Sequence, residues 1–569
     1  MREPAPAEGR GEDEFGIRRQ LLTNQLAAIA DEMALTVFRT AYSTVVRDGM
    51  DFSTALCRSD GETIAQAVTV PFHLGSIPVA MQSLFRRYGD AFAPGDVYLM
   101  NDPFDGGIHL PDLFVVKPVF AEGELIGFAV ATAHHGDVGG RVAGSSSCDN
   151  REIFEEGLRI PWVRFYERGE PVDELFRLVE ANVRVPAMTL GDLHAQIAAC
   201  NTGEAGLLGL AGEYGVSRLA RTTTQLVDYT ERLVRQEIES WPDGTASFTD
   251  YLDSDGIEPR DVPISVTISI DGSEITADFS DSSPMVAGAL NSTRSFVAAA
   301  VYHAVHALMS EEVPATSGAF RPVRVVTRPG TIVDVVMPGA SSMRGVTGFR
   351  AFDAVMGALA QLLPGRVPAA GEGGNTLCIL AGGQGERRFV YYELFCGTWG
   401  ATPAGDGNDG LSNPSSTAAN IPVEVAEEDF PIRIEHYGYV PDTGGAGEYR
   451  GGLSLSRSWR CLEDGMTLTV RSDRQRHAPY GVSGGGAGAP SLSVIRRVGG
   501  DETVMPPMFR CEMSAGDLFT HRIAGGGGYG RASDRSSRRI ESDLRTGKLS
   551  GQHVREVYGV AVGDGDPPG

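Results

Sequence analysis

Apolar side chains recur every three or four positions through IRRQLLTNQLAAIADEMALTVFRTAYSTVV, residues 17–46, which predicts a long amphipathic helix. The period then drops to two. MDFSTALCRS and ETIAQAVTV flank the turn signal SDGE and predict a hairpin, followed by a helix over IPVAMQSLFRRYGDAF and a strand at DVYLM. LFVVKPVF and LIGFAVATA, on either side of AEGE, make a second hairpin. From about 151 to 245 the spacing is helical again, in DELFRLVEANVR, LGDLHAQIAACNTG and VSRLARTTTQLVDYTERLVRQEIESW. Strand period resumes near 246 with SFTDYLD and VPISVTISIDGSEITADF, and two helical runs, RSFVAAAVYHAVHALM and GFRAFDAVMGALAQLL, complete the stretch to 365.

Past 366 glycine dominates: DTGGAGEYRGG, GVSGGGAGAP and IAGGGGYG separate short apolar strands such as LSLSRSWRCL and MTLTVRS, a pattern of turn-rich β structure. The tail RRIESDLRTGKLSGQHVREVYGV fits two short helices. A chain of 569 residues exceeds the roughly 250–300 residues that one core supports. The expected division is a disordered lead 1–15, an N-terminal α/β domain 16–245, a mixed α/β domain 246–365, a glycine-rich β domain 366–530 and a helical tail 531–569. The expected fold class is α+β (mixed α/β) and multidomain, with a helix-plus-mixed-sheet domain first and a β-dominated C-terminal half.

Charge narrows the function. With 49 basic and 74 acidic side chains, a net −25, the chain repels polyanions, which argues against nucleic acid. The longest apolar run, FVAAAVYHAVHALM (296–309), falls short of the roughly 20 residues a bilayer span needs. No apolar segment marks the N-terminus as a signal peptide, so a cytoplasmic location away from membranes is expected. Seven widely spaced cysteines with no CxxC read as buried free thiols. Only Lys117 and Lys548 are available for Schiff-base chemistry.

NDPFDGGIHLPD, residues 101–112, crowds charge onto Gly and Pro turns directly after the apolar VYLM, and ATAHHGDVGG ends the second hairpin. Such crowding suits a site whose side chains converge from rigid backbone. If AEGE closes the hairpin through a three-residue loop, position i faces position 246 − i, and Asp112 lies opposite His134. A two-residue loop sets it opposite Ala133 instead. In the first register His109, Asp112 and His134 meet, an imidazole and carboxylate set suited to catalytic Zn²⁺, Mn²⁺ or Fe²⁺, with a fourth ligand available from Asp51 or Asp48 of RDGMDFS. The competing reading makes these aspartates turn caps and the histidines core residues. His73, in PFHLGSIP, reads as a turn histidine. GVSGG (481–485) fits G-x-S-x-G around Ser483, but glycines and a proline follow where a nucleophile elbow needs a helix. GGGGYG (525–530) lacks the βαβ context of a dinucleotide fold and reads as close backbone approach or a turn. There is no P-loop, so no nucleotide-binding residue is assigned.

RDGMDFSTAL, PFHLGSIP, NDPFDGGIHLPD, AHHGDVGG, PDTGGAGEYRGG and AGGGGYG stand in the order that resembles the hydantoinase B / 5-oxoprolinase family, from about residue 15 to the last helix. The resemblance implies a subunit of an ATP-dependent cyclic amidase of the hydantoinase, 5-oxoprolinase or lactamase type. It implies a hetero-oligomer in which a hydantoinase A-type partner binds ATP and Mg and activates a small cyclic amide by phosphorylation. Carried over to this chain, the family's metal site maps to Asp51, His109, Asp112 and His134, with Asp48 in reserve because it stands where many relatives have glutamate. Asp137 and His135 are the catalytic candidates, as general base or as orienters of His134, and His73 a substrate-binding candidate. The alternatives are a subunit of an acetone or acetophenone carboxylase, with bicarbonate as electrophile, and a non-catalytic scaffold for the ATP-binding partner.

Overall fold

The computed structural model describes residues 8–310, 313–374, 376–395, 397–412, 414–416 and 418–561. Helix α1, Glu8–Thr40, begins inside the expected disordered lead, of which residues 1–7 lie outside the described residues. Its buried face carries Leu22, Leu26, Ala30, Met33 and Val37, the predicted spacing. The helix stops at Thr40 instead of running to 46. Asp192 turns the chain there, accepting from the Tyr42 and Ser43 amides at 2.8 and 3.0 Å before a four-residue helix α2, Thr44–Arg47.

The first sheet holds β1 Phe52–Arg58, β2 Thr63–Gln66, β3 Val97–Met100, β4 Asp112–Ala121, β5 Glu124–His134, β6 Val163–Glu167 and β7 Glu170–Pro171. Its order is β2-β1-β5-β4-β3-β6-β7, antiparallel throughout. β6 and β7 lie in a stretch expected to be helical, where the Arg168-Gly169 turn folds VRFYE back on GEP. Helix α3, Pro71–Tyr88, starts six residues before the expected IPVAMQ, with Pro71 in its first turn, where proline costs no hydrogen bond. His73 therefore sits on a helix, not on a turn.

The β4/β5 hairpin resolves the register by a route outside both expectations. Its turn is the two-residue loop Glu122-Gly123, both at positive φ (53° and 84°). One extra residue then bulges out of β5, between the pairs Phe120↔Leu125 and Val119↔Gly127. The bulge restores the 246 − i register, and Asp112 pairs with His134.

Helices α4 Asp173–Asn182, α5 Pro186–Tyr214 and α6 Val216–Glu239 follow, α5 packing beside α1 on the first sheet, α5 against β4 and β5 and α1 against β1 and β2. The second sheet, β11-β10-β9-β8, comprises β8 Gly244–Ser254, β9 Pro259–Asp271, β10 Glu274–Asp278 and β11 Val323–Val326, the β10/β11 pair being parallel. It packs against α8, Gly345–Leu362, which in turn packs on α7, Arg294–His306. One continuous apolar core runs from Leu22 of α1 past Leu363 to Leu377, Ile379 and Tyr392, so the strands after 244 and part of the next sheet share the core of the first sheet.

Two further antiparallel sheets form the last third. The third, β13-β12-β16-β19, uses β12 Thr376–Gly382, β13 Phe389–Phe395, β16 Met466–Arg471 and β19 Met508–Met513. The fourth, β14-β15-β20-β17-β18, uses β14 Ile432–Val440, β15 Ser454–Cys461, β17 Leu492–Arg496, β18 Glu502–Met505 and β20 Leu518–Arg522. Between the strands the glycine segments are extended and bonded to one another: Gly445 N donates to Gly526 O at 2.8 Å, Gly526 N to Gly452 O at 3.0 Å and Gly528 N to Gly486 O at 2.9 Å. A Cβ on Gly451 would stand 1.9 Å from Gly526 O. These glycines are required by backbone contact more than by turns. Cys57, Cys148, Cys200, Cys378 and Cys461 are buried free thiols and Cys511 is partly buried, whereas Cys396 lies outside the described residues. Among the described residues no helix is long and apolar enough to cross a membrane.

Gly451→Ala is expected to lower unfolding free energy by about 3 kcal/mol or more, because backbone on the facing segment has nowhere to move. Gly212→Ala, on an open helix surface, is expected to raise it by roughly 0.5–1 kcal/mol. Denaturant titration followed by circular dichroism measures both, and an unchanged midpoint for Gly451→Ala would contradict the contact argument.

Candidate metal centre

The loop NDPFDGGIHLPD is shaped by its own polar residues. Asn101 Nδ2 donates to the Leu110 and Leu158 carbonyls at 2.7 and 2.9 Å, while the Ile160 amide donates to Asn101 Oδ1 at 2.6 Å. Asp102 caps the short turn at 103–105, accepting from the Phe104 amide. Gly107 passes so close to Asp102 that a Cβ would lie 2.6 Å from its carbonyl oxygen. The loop delivers His109 and Asp112 to one point, and the hairpin register delivers His134 to the same point.

There His109, Asp112 and His134 are buried, and one ligand atom from each lies within 4.8 Å of the others. His109 Nδ1 stands 2.8 Å from Asp112 Oδ2, and His134 Nδ1 is 3.1 Å from Asp112 Oδ1. The two imidazoles are 4.9 Å apart at 37°. His73 Nε2, from the first turn of α3, approaches both Asp112 Oδ1 and Asp51 Oδ1 at 3.6 Å. Asp51 is anchored beside them because its carbonyl accepts from the His134 amide at 2.9 Å. Asp48 lies elsewhere, its carboxylate accepting from Arg47 Nε at 3.0 Å.

Electrostatics keep these groups in metal-binding form. Burial opposes the Asp112 charge, yet His109, Arg344 and His73 together hold the carboxyl well below the usual carboxylate range. Burial, with help from Arg344, pushes the His109 pKa well below that of an ordinary imidazole. Burial also works against a charged His73, but Asp112 and Asp51 outweigh it and raise its pKa.

The residues fit a divalent cation. Both ring nitrogens of His109 and Nε2 of His134 are buried without a hydrogen-bond partner among the described residues, the 2.8 Å approach of His109 Nδ1 lacking hydrogen-bond geometry. Unpartnered buried nitrogens are costly unless something binds them. A cavity of about 40 Å³ opens beside the cluster, with Asp51, His73, His134, Arg344, Tyr392 and Arg471 among its walls. Tyr392 also borders a hollow of about 500 Å³ that reaches Gly136, Thr189 and Arg388.

The profile of the hydantoinase B/oxoprolinase family matches residues 16–532. This chain belongs to that family. Across 565 residues it is 30% identical to the B-type component of a putative D-/L-hydantoinase of Pseudomonas sp. (strain NS671), covering 96% of this chain and 95% of the relative. The crystal structure of the ATP-dependent caprolactamase from Pseudomonas jessenii superposes with a TM-score of 0.89 at 30% identity, covering 97% of both chains. A nucleotide-free acetone carboxylase superposes with the same TM-score of 0.89 over 97% of this chain and 80% of that one, and at 18% identity it shows a shared fold.

In this hydantoinase B-family chain, His135 and Asp137 stand apart from the cluster. His135 Nε2 lies 2.9 Å from Gln196 Oε1 on α5, and burial lowers its pKa. Asp137 spends both oxygens on four donors, the amides of Gly139, Gly144 and Arg184 and the Arg184 guanidinium. Such a carboxylate organises the glycine loop and has no spare lone pair for a general base. Sequence spacing missed Arg344, which donates to Asp112 Oδ2 at 2.6 Å, and Tyr392, whose ring lies 4.7 Å from that of His134. Both arrive from more than 200 residues downstream, and no local motif announces either.

Asp137→Ala is expected to cost about 3 kcal/mol of stability by stranding the Arg184 charge and three amides, while bound metal per folded chain stays near that of the parent. Thermal unfolding and elemental analysis on the same preparation separate this from a role at the cation.

Proposed function

We propose that this chain is the metal-dependent subunit of an ATP-dependent cyclic amidase of the hydantoinase, 5-oxoprolinase or lactamase type. The observation that carries the reading is the buried His109, Asp112, His134 cluster, three of whose four ring nitrogens have no hydrogen-bond partner among the described residues, and which lies beside a small cavity walled in part by Asp51, His73 and Arg344. A divalent cation held by these three residues, with Asp51 completing the set, supplies Lewis acidity toward a carbonyl or a water. Asp112 orients His134 through the 3.1 Å hydrogen bond to Nδ1, and Arg344 steadies the Asp112 charge. His73, between Asp51 and Asp112, is placed to hold a proton or a substrate oxygen at the cavity wall.

A ring amide is a poor electrophile, and opening an unstrained ring is nearly balanced in free energy, so coupling to ATP drives the reaction. No P-loop occurs in the chain. The family relative named as one subunit of a hydantoinase supports a partner subunit; in this reading the partner is of hydantoinase A type, binds ATP and phosphorylates the amide before it reaches this chain. The 500 Å³ hollow that shares Tyr392 with the metal cavity is of the size that takes a small ring.

Purified with its partner, the complex is expected to hold about one divalent cation per copy of this chain, and ATP turnover screened over hydantoin, 5-oxoproline, lactams and ketones with bicarbonate identifies the substrate. His109→Ala and His134→Ala are each expected to lose the cation and at least about 10³-fold in kcat; full turnover in both would leave only a scaffold role. Asp51→Asn is expected to weaken metal affinity about 10- to 100-fold and Asp48→Asn to leave it unchanged, as read by competition with a chromogenic chelator.

A further inference from the structure

One face of the third sheet stands opposite the glycine loop that follows His135, and a cavity of about 350 Å³ lies between them. Thr467 and Thr469 reach it from alternate positions of β16, with Arg510 of β19 directly across from Thr469. Arg388 enters from the start of β13, and Arg141 and Arg184 supply the other wall. Four guanidinium groups thus line one hollow that has no carboxylate among the described residues of its lining, in a chain with 74 acidic side chains against 49 basic ones.

The four are not equivalent. Arg141 donates to Asp149 at 2.6 Å and Asn150 at 2.8 Å, and Arg184 donates to Asp137 at 2.9 Å, so these two are held rigid and largely neutralised. The Arg388 and Arg510 side chains have neither a hydrogen bond nor an ion pair among the described residues, and the Thr467 and Thr469 hydroxyls have no hydrogen bond there. Two cations free of direct pairing and two free hydroxyls around a concave space are a donor set for a tetrahedral oxyanion, since guanidinium forks take oxygens in pairs and a hydroxyl takes another.

Strand β13 connects this cavity to the metal cluster. Arg388, Phe389 and Val390 border both it and the 500 Å³ hollow, and Tyr392, two residues further along, packs on His134. Four residues of strand span about 13 Å, so one small phosphorylated ring cannot touch both ends at once. We propose that the arginine-lined cavity binds a phosphoryl group, either that of the activated substrate on its way to the metal cluster or the phosphate left after ring opening. The cavity stands on geometry alone; the identity of the phosphorylated species rests on the function proposed above. The site is a holding station, and no bond forms or breaks there.

Isothermal titration calorimetry of the full chain at low ionic strength tests this, with inorganic phosphate and phenyl phosphate as probes. Saturable binding is expected, weakened at least about 10-fold in the Arg388→Gln, Arg510→Gln double variant and within about 3-fold of the parent when both become Lys. Both side chains are exposed, so the variants should keep the parent's circular dichroism spectrum. Phosphate binding is expected to survive His109→Ala, which separates failure at the metal cluster from failure here. Binding of inorganic phosphate alone marks the released product as occupant, and binding of both probes admits the activated substrate; each supports the site. No saturable binding of either probe overturns the proposal, as does binding that ignores the double Gln substitution. A glutamate-rich peptide that binds more tightly than both phosphates also overturns it, by making the cavity a protein docking surface.

Discussion

The Asp112 carboxylate, buried yet ionised, is the interaction on which the rest of the centre depends. Removing such a charge from water costs several kcal/mol unless partners surround it. Here the partners come from four different places: His109 from the loop before β4, His134 from the end of β5, His73 from the first turn of α3 and Arg344 from the approach to α8. Each must be in position for the others to be tolerable in the core. The centre is therefore a constraint on the whole arrangement of the first sheet, its flanking helices and the segment that follows the second sheet.

Two devices meet that constraint. The bulge in β5 corrects by one residue what the tight Glu122-Gly123 turn would otherwise misalign, so the pairing at the far end of the hairpin brings carboxylate to imidazole. Without it every side chain of β5 beyond that point would change faces. In the C-terminal part, glycine segments stack at backbone contact, and Tyr392 and Arg471 extend over the cavity from β13 and β16 of the third sheet. Rigid backbone on both sides lets a 40 Å³ space stay polar and open without being filled by side chains.

Local pattern carried much of this. The period of α1, both hairpins of the first sheet, α5 to α8 and the clustering of His109, Asp112 and His134 were legible because each depends on short-range spacing or on one register choice. The rest depends on distance. Arg344 meets Asp112 across 232 positions of chain and Tyr392 meets His134 across more than 250, separations that no window of sequence contains. The β6 strand was hidden because its partner, β3, lies about 65 residues earlier and its own five residues carry little alternation. His135 and Asp137 stood out by adjacency to His134, as general base or as its orienters. Yet neighbours on an extended segment point to opposite sides, and His135 accordingly turns to Gln196 on α5. The glycine clusters read as turns, or as close approach in the case of GGGGYG, because composition alone does not distinguish a bend from a backbone contact.

That separation has a temporal side. His109, Asp112 and His134 leave the ribosome well before Arg344, Tyr392 and Arg471, which together close the cavity. At a synthesis rate of about 5–20 residues per second, the nascent chain carries this imidazole–carboxylate cluster without its cover for some tens of seconds. On the function proposed above, any divalent cation in the surroundings competes for the imidazoles during that interval, so the ion finally enclosed would reflect what is abundant at the ribosome as much as what the finished pocket prefers.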